Sequence, residues 1–383
     1  MKILIIRITT DIANLNTYNL QEIGLAKALV RKGHTCDVAY FCGNEKDHYE
    51  TLEFGDKKNK IRVLWIHGYC PFTTEGLYPS LKNYVDDYDI IQVGGYVGLT
   101  SVWLNRHVQN KVVNYQGAYY CKDNKGDNIK AFVYDHLLLP FSNKKNMVVY
   151  SKSKLSTQYM ESKGIKNVTT VGVGLDLDNI VKRDESIYNH KFVKQLTDNK
   201  KNSKYLLYVG VLEERRNTKF LIKLFGAVHA EKPECKLVMV GKGNDEYVNE
   251  CLALIDEMGL KDFVIYEKSL EQKYLKAVYE ISDVFLLPSS YEIFGMVLLE
   301  AMYFGLPAFT TYNGGSSMLM NKDNGFVIDE LDVEKWKTGV LSVLDDSALY
   351  DKISQNATKT IENGYTWDAL ADKVLEVYKK RLG

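Results

Sequence analysis

Apolar residues along the chain fall into two kinds of segment. Short runs rich in Val, Ile and Leu predict buried β-strands, and the longer segments between them repeat apolar residues every three or four positions, as amphipathic helices do. The first run, Ile3–Ile8, leads into YNLQEIGLAKALVRKG, where apolar residues from Leu20 to Val30 share one face and Gly33 ends the helix. The chain therefore begins with a strand–helix–strand unit, and this unit is repeated.

The strands predicted in this way form two series. Those of the first series are Ile3–Ile8, Cys36–Phe41, Ile61–Ile66, Ile90–Val93, Val112–Tyr115, Met147–Tyr150 and Val168–Val173. Those of the second series are Tyr205–Val211, Leu237–Val240, Phe263–Tyr266, Val284–Leu287, Ala308–Thr311 and Phe326–Ile328. Strands that alternate with helices are typical of an α/β fold with parallel sheets.

Two doubly wound, Rossmann-like domains are the simplest architecture for these two series. We assign residues 1–180 to the first domain, 205–365 to the second, and the charged segment 181–204 to a linker or solvated insertion. The last segment, 366–383, predicts a helix that either docks on the second domain or crosses back to the first. Because ligands bind at the carboxyl ends of the strands in such sheets, we expect the active site in a cleft between the domains.

Composition favours a cytoplasmic enzyme. The formal net charge of +0 over 383 residues predicts no nucleic-acid partner. The six cysteines are scattered and form no C-x-x-C pair, which predicts a reduced chain without a disulfide framework. No apolar run approaches the roughly 18 residues of a membrane span.

The stretch SSYEIFGMVLLEAM, residues 289–302, places two glutamates where a buried strand passes into a helix. Core packing does not require these charges, because a carboxylate buried without a partner is costly. Gly295 precedes the helix, whose N-terminal N–H groups suit a phosphate. Glu292 lies before the helix and Glu300 in its second turn, and helical side chains lean toward the N-terminus. Both carboxylates can therefore accept hydrogen bonds from one ligand, which predicts a nucleotide-sugar site.

This pattern resembles the E-x7-E element of the retaining glycosyltransferases of family 4, which have the two-domain GT-B fold. The resemblance extends over nearly the whole chain and is strongest over residues 205–329, where SSYEIFGMVLLEAMYFGLPAFTT is followed by NGGSSMLM and NGFVID. It implies that Glu292 contacts hydroxyls of the donor sugar and that the backbone of Phe294, Gly295 and Met296 lies near the sugar and phosphates. Glu300 would then hold the ribose of the nucleotide.

The stretch YVGVLEERRNTKFLIKLF resembles the family element that opens the second domain, in which two cations neutralise the departing diphosphate. Here Val211 occupies the position of the usual arginine. Arg216 replaces the usual lysine and suits phosphate, because a guanidinium binds phosphate in bidentate fashion. Gly241 in VMVGKGNDE is similar to a family glycine near the nucleotide, and IYEKSL, with Lys268 and Leu270, matches the segment whose backbone contacts the base.

In the first domain, the candidate residues on the acceptor side follow predicted strands. The triplet TTD stands in place of the family's glycine pair, and its Thr10 and Asp11 either bind an acceptor hydroxyl or cap a helix. Gln116 in VVNYQGAYY replaces the family's histidine near the reaction centre. Glutamine forms hydrogen bonds but does not titrate, which excludes a histidine general base at this position. Gln92 and Tyr96, near the end of another strand, are further acceptor-side candidates.

Two further patterns have simple explanations. Asp176-x-Asp178 imitates a metal motif of another glycosyltransferase fold, but hard cations need several convergent oxygen ligands, and we predict no metal and no other cofactor. Segment 141–166 contains six lysines and one acid, Glu161. A solvated face explains these lysines. Contact with anionic lipid is the alternative, since each basic residue near such a surface contributes about 1 kcal/mol.

The resemblance and these residues together predict a cytoplasmic, retaining hexosyltransferase. Its substrates would be a nucleotide-diphosphate sugar, with a UDP-sugar as the first choice, and a carbohydrate or lipid-linked acceptor. The resemblance implies a place in surface polysaccharide or glycoconjugate synthesis, with peripheral contact at the inner face of the membrane as an option. Two alternatives stay open. One is a non-catalytic GT-B subunit that binds glycans or a partner, favoured by Val211 and Gln116, and the other is a nucleotide-sugar epimerase.

Overall fold

The structure, a computed structural model, divides the 383-residue chain into two units. It describes residues 1–15, 17, 20–55, 57–69, 75–122, 125–180 and 185–383. The first unit consists of Met1–Asp178 together with Tyr365–Gly383, and the second of Asn179–Gly364. Each unit is built around one sheet with helices packed on it, which is the doubly wound arrangement that the sequence predicts.

The strands described in the first unit form one sheet. They are β1 Lys2–Ile6, β2 Thr35–Phe41, β3 His48–Phe54, β4 Asn59–Ile66, β5 Ile90–Gly94, β6 Val112–Gln116, β7 Val148–Ser151 and β8 Asn167–Thr170. Their order is β3-β4-β2-β1-β5-β6-β7-β8, and every neighbouring pair is parallel except β3 and β4. β1 lies between β2 and β5 and is almost completely buried, which explains its unbroken apolar run.

The helices of this unit cover the sheet. They are α1 Gln21–Arg31, α2 Leu99–His107, α3 Lys125–Leu137 and α4 Lys154–Ser162, and the short α5 Leu177–Ile180 leads into the second unit. Short 3-10 turns lie at Pro79–Asn83, Val85–Asp87, Leu139–Ser142 and Lys144–Asn146. The predicted apolar face of α1 is confirmed, since Ile23, Ala26 and Leu29 are buried.

The sequence did not predict strand β3. Its residues, HYETLEF, are mostly exposed because β3 is the edge strand of the sheet and pairs only with β4. Tyr49, for example, is 66% exposed. A strand without a buried face has no reason to alternate apolar and polar residues, so the pattern that identifies strands is missing.

The second unit contains the other parallel sheet. Its described strands are β9 Lys204–Val209, β10 Cys235–Val240, β11 Val264–Glu267, β12 Val284–Leu287, β13 Ala308–Thr310 and β14 Phe326–Val327. Their order is β11-β10-β9-β12-β13-β14. The six strands of the second predicted series are confirmed, with ends that differ by at most two residues.

Helices of the second unit connect these parallel strands. They are α6 Lys191–Asn199, α7 Thr218–Glu231, α8 Asp245–Glu257, α9 Gln272–Ile281, α10 Met296–Tyr303, α11 Ser316–Leu319, α12 Val333–Asp345 and α13 Ser347–Gly364. Short 3-10 turns lie at Glu185–Asn189, Lys200–Asn202 and Glu214–Arg216.

Helix α6 corrects the prediction that 181–204 is a linker or solvated insertion. Phe192, Val193 and Leu196 are buried, and α6 packs against α9. These three apolar residues have helical spacing, but the density of charges around them obscured the pattern. Residues 185–204 are therefore part of the second unit, while 181–184 lie outside the described residues.

The last helix, α14 Trp367–Leu382, returns to the first unit. It packs against α1, β6 and β7, which is the second of the two predicted alternatives. Gly24 of α1 makes room for Trp367, because a Cβ on Gly24 would lie 2.3 Å from the indole Cδ1 atom. The predicted apolar face is buried at Trp367, Leu370, Val374 and Tyr378.

The sequence also makes predictions about the cysteines and about membrane-spanning helices. The cysteines among them are free thiols, namely Cys36, Cys42, Cys121, Cys235 and Cys251. Cys70 lies outside this part of the chain. No helix in the described ranges is long and apolar enough to cross a bilayer.

Candidate active site

The predicted donor-binding residues follow four strands that are adjacent in the second sheet. Lys268 follows β11, Gly241 follows β10, Arg216 lies in the loop after β9, and Glu292 lies in the loop after β12. Because these strands are parallel, their carboxyl ends lie at one edge of the sheet. The order of the strands reverses between β9 and β12, which is where ligands bind in doubly wound sheets. Arg216 and Glu292 meet at this point.

Arg216 and Glu292 form an ion pair. The Arg216 Nη1 atom contacts Glu292 Oε1, and the two side chains are only 13% and 7% exposed. The same nitrogen lies 3.4 Å from Ser289 Oγ. Burial lowers the pKa of the Arg216 guanidinium from its ordinary value, and the hydroxyl of Tyr208 counteracts this effect. The carboxylate compensates a charge that burial would otherwise disfavour.

Hydrogen bonds fasten the β9 loop to the β12 loop. Asn217 has a left-handed backbone conformation with φ of 53°, and its Nδ2 donates to Pro288 O at 2.7 Å and to Ser290 Oγ at 2.9 Å. Arg215 Nη1 donates to Tyr291 O at 2.8 Å. These bonds hold Arg216 and Glu292 in place through the loops that carry them.

Glu300 is fixed within α10. The residue before the helix, Gly295, has a φ of +73°, which a residue with a side chain rarely adopts. The Glu300 side chain is almost completely buried, and it accepts a hydrogen bond from Tyr279 Oη at 2.9 Å. Tyr279 in turn stacks on Phe304, with ring centroids 5.5 Å apart. The second glutamate of the motif is therefore held by an aromatic residue of α9 that the sequence did not suggest.

The glycine pair in NGGSSMLM supports the loop of Glu292. A Cβ on Gly314 would lie 2.1 Å from Ile293 O, and one on Gly315 would lie 1.8 Å from Phe294 O. Gly314 N donates to Glu292 O at 3.0 Å. Asn313 accepts hydrogen bonds from the backbone of the following turn. Backbone packs directly on backbone here, which explains why no side chain is present.

The remaining donor-side candidates differ in their surroundings. Gly241 crosses the backbone of Gly210 so closely that a Cβ would lie 2.0 Å from Gly210 O. Lys268 is exposed, and its Nζ lies 3.2 Å from Asp245 Oδ1. Leu270 and Met296 are half-buried, whereas Phe294 is buried.

Val211, in the position of the family's arginine, is 42% exposed. The neighbouring cation available to replace that arginine is Arg215. Its guanidinium is engaged with Tyr291 O and with Glu213 Oε1 at 2.7 Å. Arg215 therefore serves to position the loop, and Arg216 is the predicted cation at this site.

In the first unit, Thr10, Asp11 and Gln116 lie near the carboxyl ends of strands. Thr10 and Asp11 follow β1, and Gln116 is the last residue of β6. β5 separates these two strands in the sheet. Gln116 is buried, and its Nε2 lies 3.3 Å from Ala118 O, whereas Asp11 is exposed.

Gln92 and Tyr96, the other predicted acceptor-side residues, are both buried within the first unit. The Oε1 atom of Gln92 accepts hydrogen bonds from Tyr150 Oη, at 2.5 Å, and from Tyr378 Oη of α14. The Tyr96 hydroxyl donates to Asp135 Oδ1 at 2.9 Å. These bonds give both residues a structural role, and their contact with an acceptor stays a prediction.

The sequence did not suggest Glu75, which lies beside the TTD triplet. Thr9 and Glu75 form an isolated antiparallel bridge. Burial, and then the negative charge of Asp11, raise the pKa of the Glu75 carboxyl to about 7. Nothing in the local sequence signals this pairing.

The two aspartates that imitate a metal motif are bound to cations of α1. Lys27 Nζ lies 2.7 Å from Asp176 Oδ2, and both side chains are 5% exposed. Arg31 pairs with Asp178 and with Asp368 of α14. These carboxylates therefore connect the end of the first unit's sheet to its helices.

Known proteins resemble this chain in sequence and in fold. Residues 190–360 match the family model of the glycosyl transferases group 1, and this segment carries Arg216, Glu292 and Glu300. An uncharacterized glycosyltransferase of Methanocaldococcus jannaschii is 26% identical over 369 residues, which are 93% of this chain and 92% of that protein. Mannosylfructose-phosphate synthase of Agrobacterium fabrum is 26% identical over 185 residues, or 46% of this chain and 41% of that protein. The chain thus spans less than half the length of the synthase.

Solved structures share the fold over the whole chain. HepE of Anabaena, in complex with UDP, superimposes with a TM-score of 0.72 and 16% identity, covering 99% of this chain and 100% of that one. Sucrose-phosphate synthase of Thermosynechococcus elongatus has a TM-score of 0.72 and 17% identity, covering 99% of each chain. The chain therefore has the GT-B fold, and its second unit matches the model of the glycosyl transferases group 1.

Proposed function

We propose that this glycosyltransferase is a retaining hexosyltransferase of the family 4 type. It moves a hexose from a nucleotide-diphosphate sugar to a carbohydrate or lipid-linked acceptor, in the synthesis of surface polysaccharide or another glycoconjugate. The observation that carries this proposal is the buried contact between Arg216 and Glu292 at the point where the strand order reverses. A cation for phosphate and an acceptor for sugar hydroxyls lie side by side there, which is the pair of groups that a nucleotide sugar requires.

The remaining residues of the E-x7-E element have matching roles in this proposal. The backbone of Phe294, Gly295 and Met296 passes close to the sugar and phosphates, and the left-handed Gly295 leaves room for that approach. Glu300, oriented by Tyr279, accepts hydrogen bonds from the ribose. The backbone near Gly241, Lys268 and Leu270 lies beside the nucleotide at the same edge of the sheet.

The proposed transfer proceeds on one face of the sugar. The bond between the anomeric carbon and the donor phosphate oxygen breaks, and the acceptor hydroxyl oxygen bonds to the same face of that carbon. The hydroxyl proton passes to the departing phosphate, so no titrating side chain is needed at Gln116. Arg216 stabilises the negative charge that develops on the diphosphate. Because Arg216 and Glu292 contact each other in this structure, the donor has to replace part of that contact with its own.

UDP is the proposed nucleotide, supported by the complexes of HepE with UDP and with UDP-glucose. We propose that no metal takes part, since Asp176 and Asp178 are paired with lysine and arginine. Thr10, Asp11 and Gln116 are the proposed residues on the acceptor side, and we place the reaction in the cytoplasm, at the inner face of the membrane when the acceptor is lipid-linked.

Calorimetric titration with UDP, GDP and dTDP tests the donor site. We expect selective binding of one nucleotide by the unchanged protein and loss of that binding in Glu300→Ala. Glu257→Ala, which removes an exposed glutamate of α8, is the matched control and should bind as the unchanged protein does. Equal binding by Glu300→Ala would refute the role of this glutamate.

The exposed Val211 favours one further candidate, a GT-B subunit that binds nucleotide sugar or glycan without turnover. The two functions differ in whether the donor is consumed. Release of UDP from UDP-hexoses, followed with and without mixed glycan acceptors, distinguishes them. Nucleotide binding without UDP release would favour the binding subunit, and UDP release that depends on Arg216 would favour the transferase.

A further inference from the structure

Helix α3 of the first unit has apolar residues on two opposite faces. On the inner face, Tyr134 is buried and its hydroxyl donates to Tyr96 O. On the outer face, Ile129, Phe132, Val133 and Leu137 are 65%, 62%, 48% and 62% exposed. Their spacing of three and four residues places them on one stripe. A helix at a protein surface normally carries polar residues on its outer face, so this stripe is not explained by the packing of the unit.

The stripe continues into the 3-10 turn that follows the helix, where Phe141 is 56% exposed. We call the group Ile129, Phe132, Val133, Leu137 and Phe141 the α3 patch. Single exposed apolar residues are common on proteins. Several such residues on one helical stripe, held out in water by a helix whose other face is packed, instead mark a surface that binds something apolar.

Lysines are concentrated in the segment that carries the α3 patch, and Lys144 and Lys163 line a cavity together with Phe132 of the patch. Residues 120–166 contain nine lysines and four acidic residues, a net charge of +5. One of the acids, Asp135, pairs with Lys163. Among the lysines of this region whose exposure the structure describes, Lys122, Lys130, Lys144, Lys145, Lys154 and Lys166 are exposed. An apolar stripe on a cationic segment is complementary to a surface with an apolar interior and an anionic rim.

A cavity of about 400 Å³ lies next to the α3 patch. Phe132 belongs both to the patch and to the cavity lining, which also includes His136, Lys144, Tyr159 and the ion pair of Lys163 with Asp135. Lysine, histidine and tyrosine side chains there offer N–H and O–H donors suited to phosphate oxygens. Apolar groups beside phosphate-binding groups match the chemistry of a phospholipid, in which acyl chains and a phosphate are joined.

We propose that the α3 patch inserts into the surface of an anionic phospholipid bilayer, with the exposed lysines of residues 120–166 and the cavity in contact with lipid phosphates. A second copy of the chain is a poorer binding partner for the α3 patch. In a two-fold dimer the same patch faces itself, which would bring two sets of lysines together. A bilayer brings the opposite charge to the lysines and an apolar phase to the stripe.

The position of α3 links this surface to the acceptor side of the first unit. α3 lies in the connection between β6 and β7, and it begins nine residues after Gln116. The helix therefore leaves the sheet from the edge at which Gln116 lies. Membrane binding goes beyond the proposed transfer, because it requires neither a donor nor an acceptor, and it favours the lipid-linked type of acceptor.

Flotation of the full chain with vesicles tests this surface. We expect the chain to float with vesicles that contain phosphatidylglycerol. With vesicles of pure phosphatidylcholine we expect it to remain in the bottom fraction of the gradient. Phe132→Gln with Leu137→Gln removes apolar area, and Lys144→Glu with Lys145→Glu reverses charge. Each double variant should lower the partition coefficient at least tenfold, since one basic residue alone contributes about fivefold and full burial of one Phe or Leu side chain contributes more than that.

Matched controls change the same residue types elsewhere. Tyr49→Gln with Leu331→Gln alters two apolar side chains that are 66% and 44% exposed, and Lys58→Glu with Lys359→Glu alters two exposed lysines. Both should float as the unchanged chain does. The proposal would be overturned if the unchanged chain did not float, or if the α3 variants floated as the unchanged chain does. It would also be overturned if the α3 variants lost self-association instead of lipid binding. Nucleotide titration of the same variants separates this outcome from a failure of the proposed donor site.

Discussion

Arg216 and Glu292, which lie 76 positions apart in the sequence, contact each other through buried side chains at the end of two neighbouring strands. Removing two charges from water is unfavourable, and their attraction offsets this cost only in good geometry. The contact therefore needs the hydrogen bonds that fasten its two loops, such as those of Asn217. A site held in this way is organised before the ligand arrives.

The role of Arg216 predicts a selective loss of turnover. Arg216→Ala removes the cation that stabilises the departing diphosphate, and we expect kcat with the preferred nucleotide sugar to fall by about 10²–10³. Lys219→Ala is the matched control, because Lys219 is a partly exposed cation of α7 that pairs with Glu214 and Glu250. Steady-state release of the nucleotide measures both variants. Unchanged turnover in Arg216→Ala would show that another group neutralises the diphosphate.

The close packing of Gly315 on Phe294 O predicts that a single methyl group disturbs the site. In Gly315→Ala the new Cβ would lie 1.8 Å from that oxygen, so the backbone must move. We expect the free energy of unfolding to fall by about 1–3 kcal/mol and nucleotide affinity to fall with it. Gly364→Ala is the control, because its Cβ meets nothing within 4 Å, and Ala in a helix is favoured over Gly by up to about 1 kcal/mol. Urea unfolding and calorimetric titration test the pair, and equal stability of the two variants would contradict the packing argument.

The parts of this molecule that the sequence predicted are those with a local signal. Strands β9, β10 and β12 of the second unit are nearly continuous apolar runs because the sheet buries them on both faces. Glu292 and Glu300 drew attention because charge is unexpected beside such a run. Strand β3 was missed because an exposed edge strand has a weak periodic pattern, and helix α6 was missed because the charges around its three apolar residues obscured their helical spacing.

The contacts that determine each side chain's role are long-range and were not predictable in this way. Gln92 lies near a strand end, as an acceptor-binding residue would, but its partners Tyr150 and Tyr378 are 58 and 286 positions away. The pairing of Arg216 with Glu292 and of Glu300 with Tyr279 likewise depends on strand order and helix packing. A motif identifies the residue types, and the sheet topology decides which of them meet.

The buried pair of Lys27 and Asp176 predicts a large effect on the stability of the first unit. Both side chains are 5% exposed, so Lys27→Met leaves an uncompensated carboxylate. We expect the free energy of unfolding to fall by about 3–5 kcal/mol. Lys32→Met is the control, because its partner Asp372 is 68% exposed, and an exposed pair contributes at most about 1 kcal/mol. Chemical unfolding at pH 7 compares the variants, and similar losses in both would mean that burial does not strengthen the first pair.

The raised pKa of Glu75 predicts a loss of stability as the pH rises. Burial first, and then the charge of Asp11, raise this pKa to about 7. At pH values between the ordinary pKa of a glutamic acid and about 7, the Glu75 carboxyl loses its proton in the unfolded chain and keeps it in the folded chain. The folded state therefore binds more protons in this pH range. The contribution of Glu75 to the free energy of unfolding is therefore fully present below the ordinary pKa and is lost as the pH rises to about 7.

Glu75→Gln should remove this dependence of the free energy of unfolding on pH. Asp11→Asn, which removes the repulsion, should shift the loss to lower pH. Urea unfolding at pH 5, 6, 7 and 8 tests both variants, and a slope that Glu75→Gln leaves unchanged would assign it to another group.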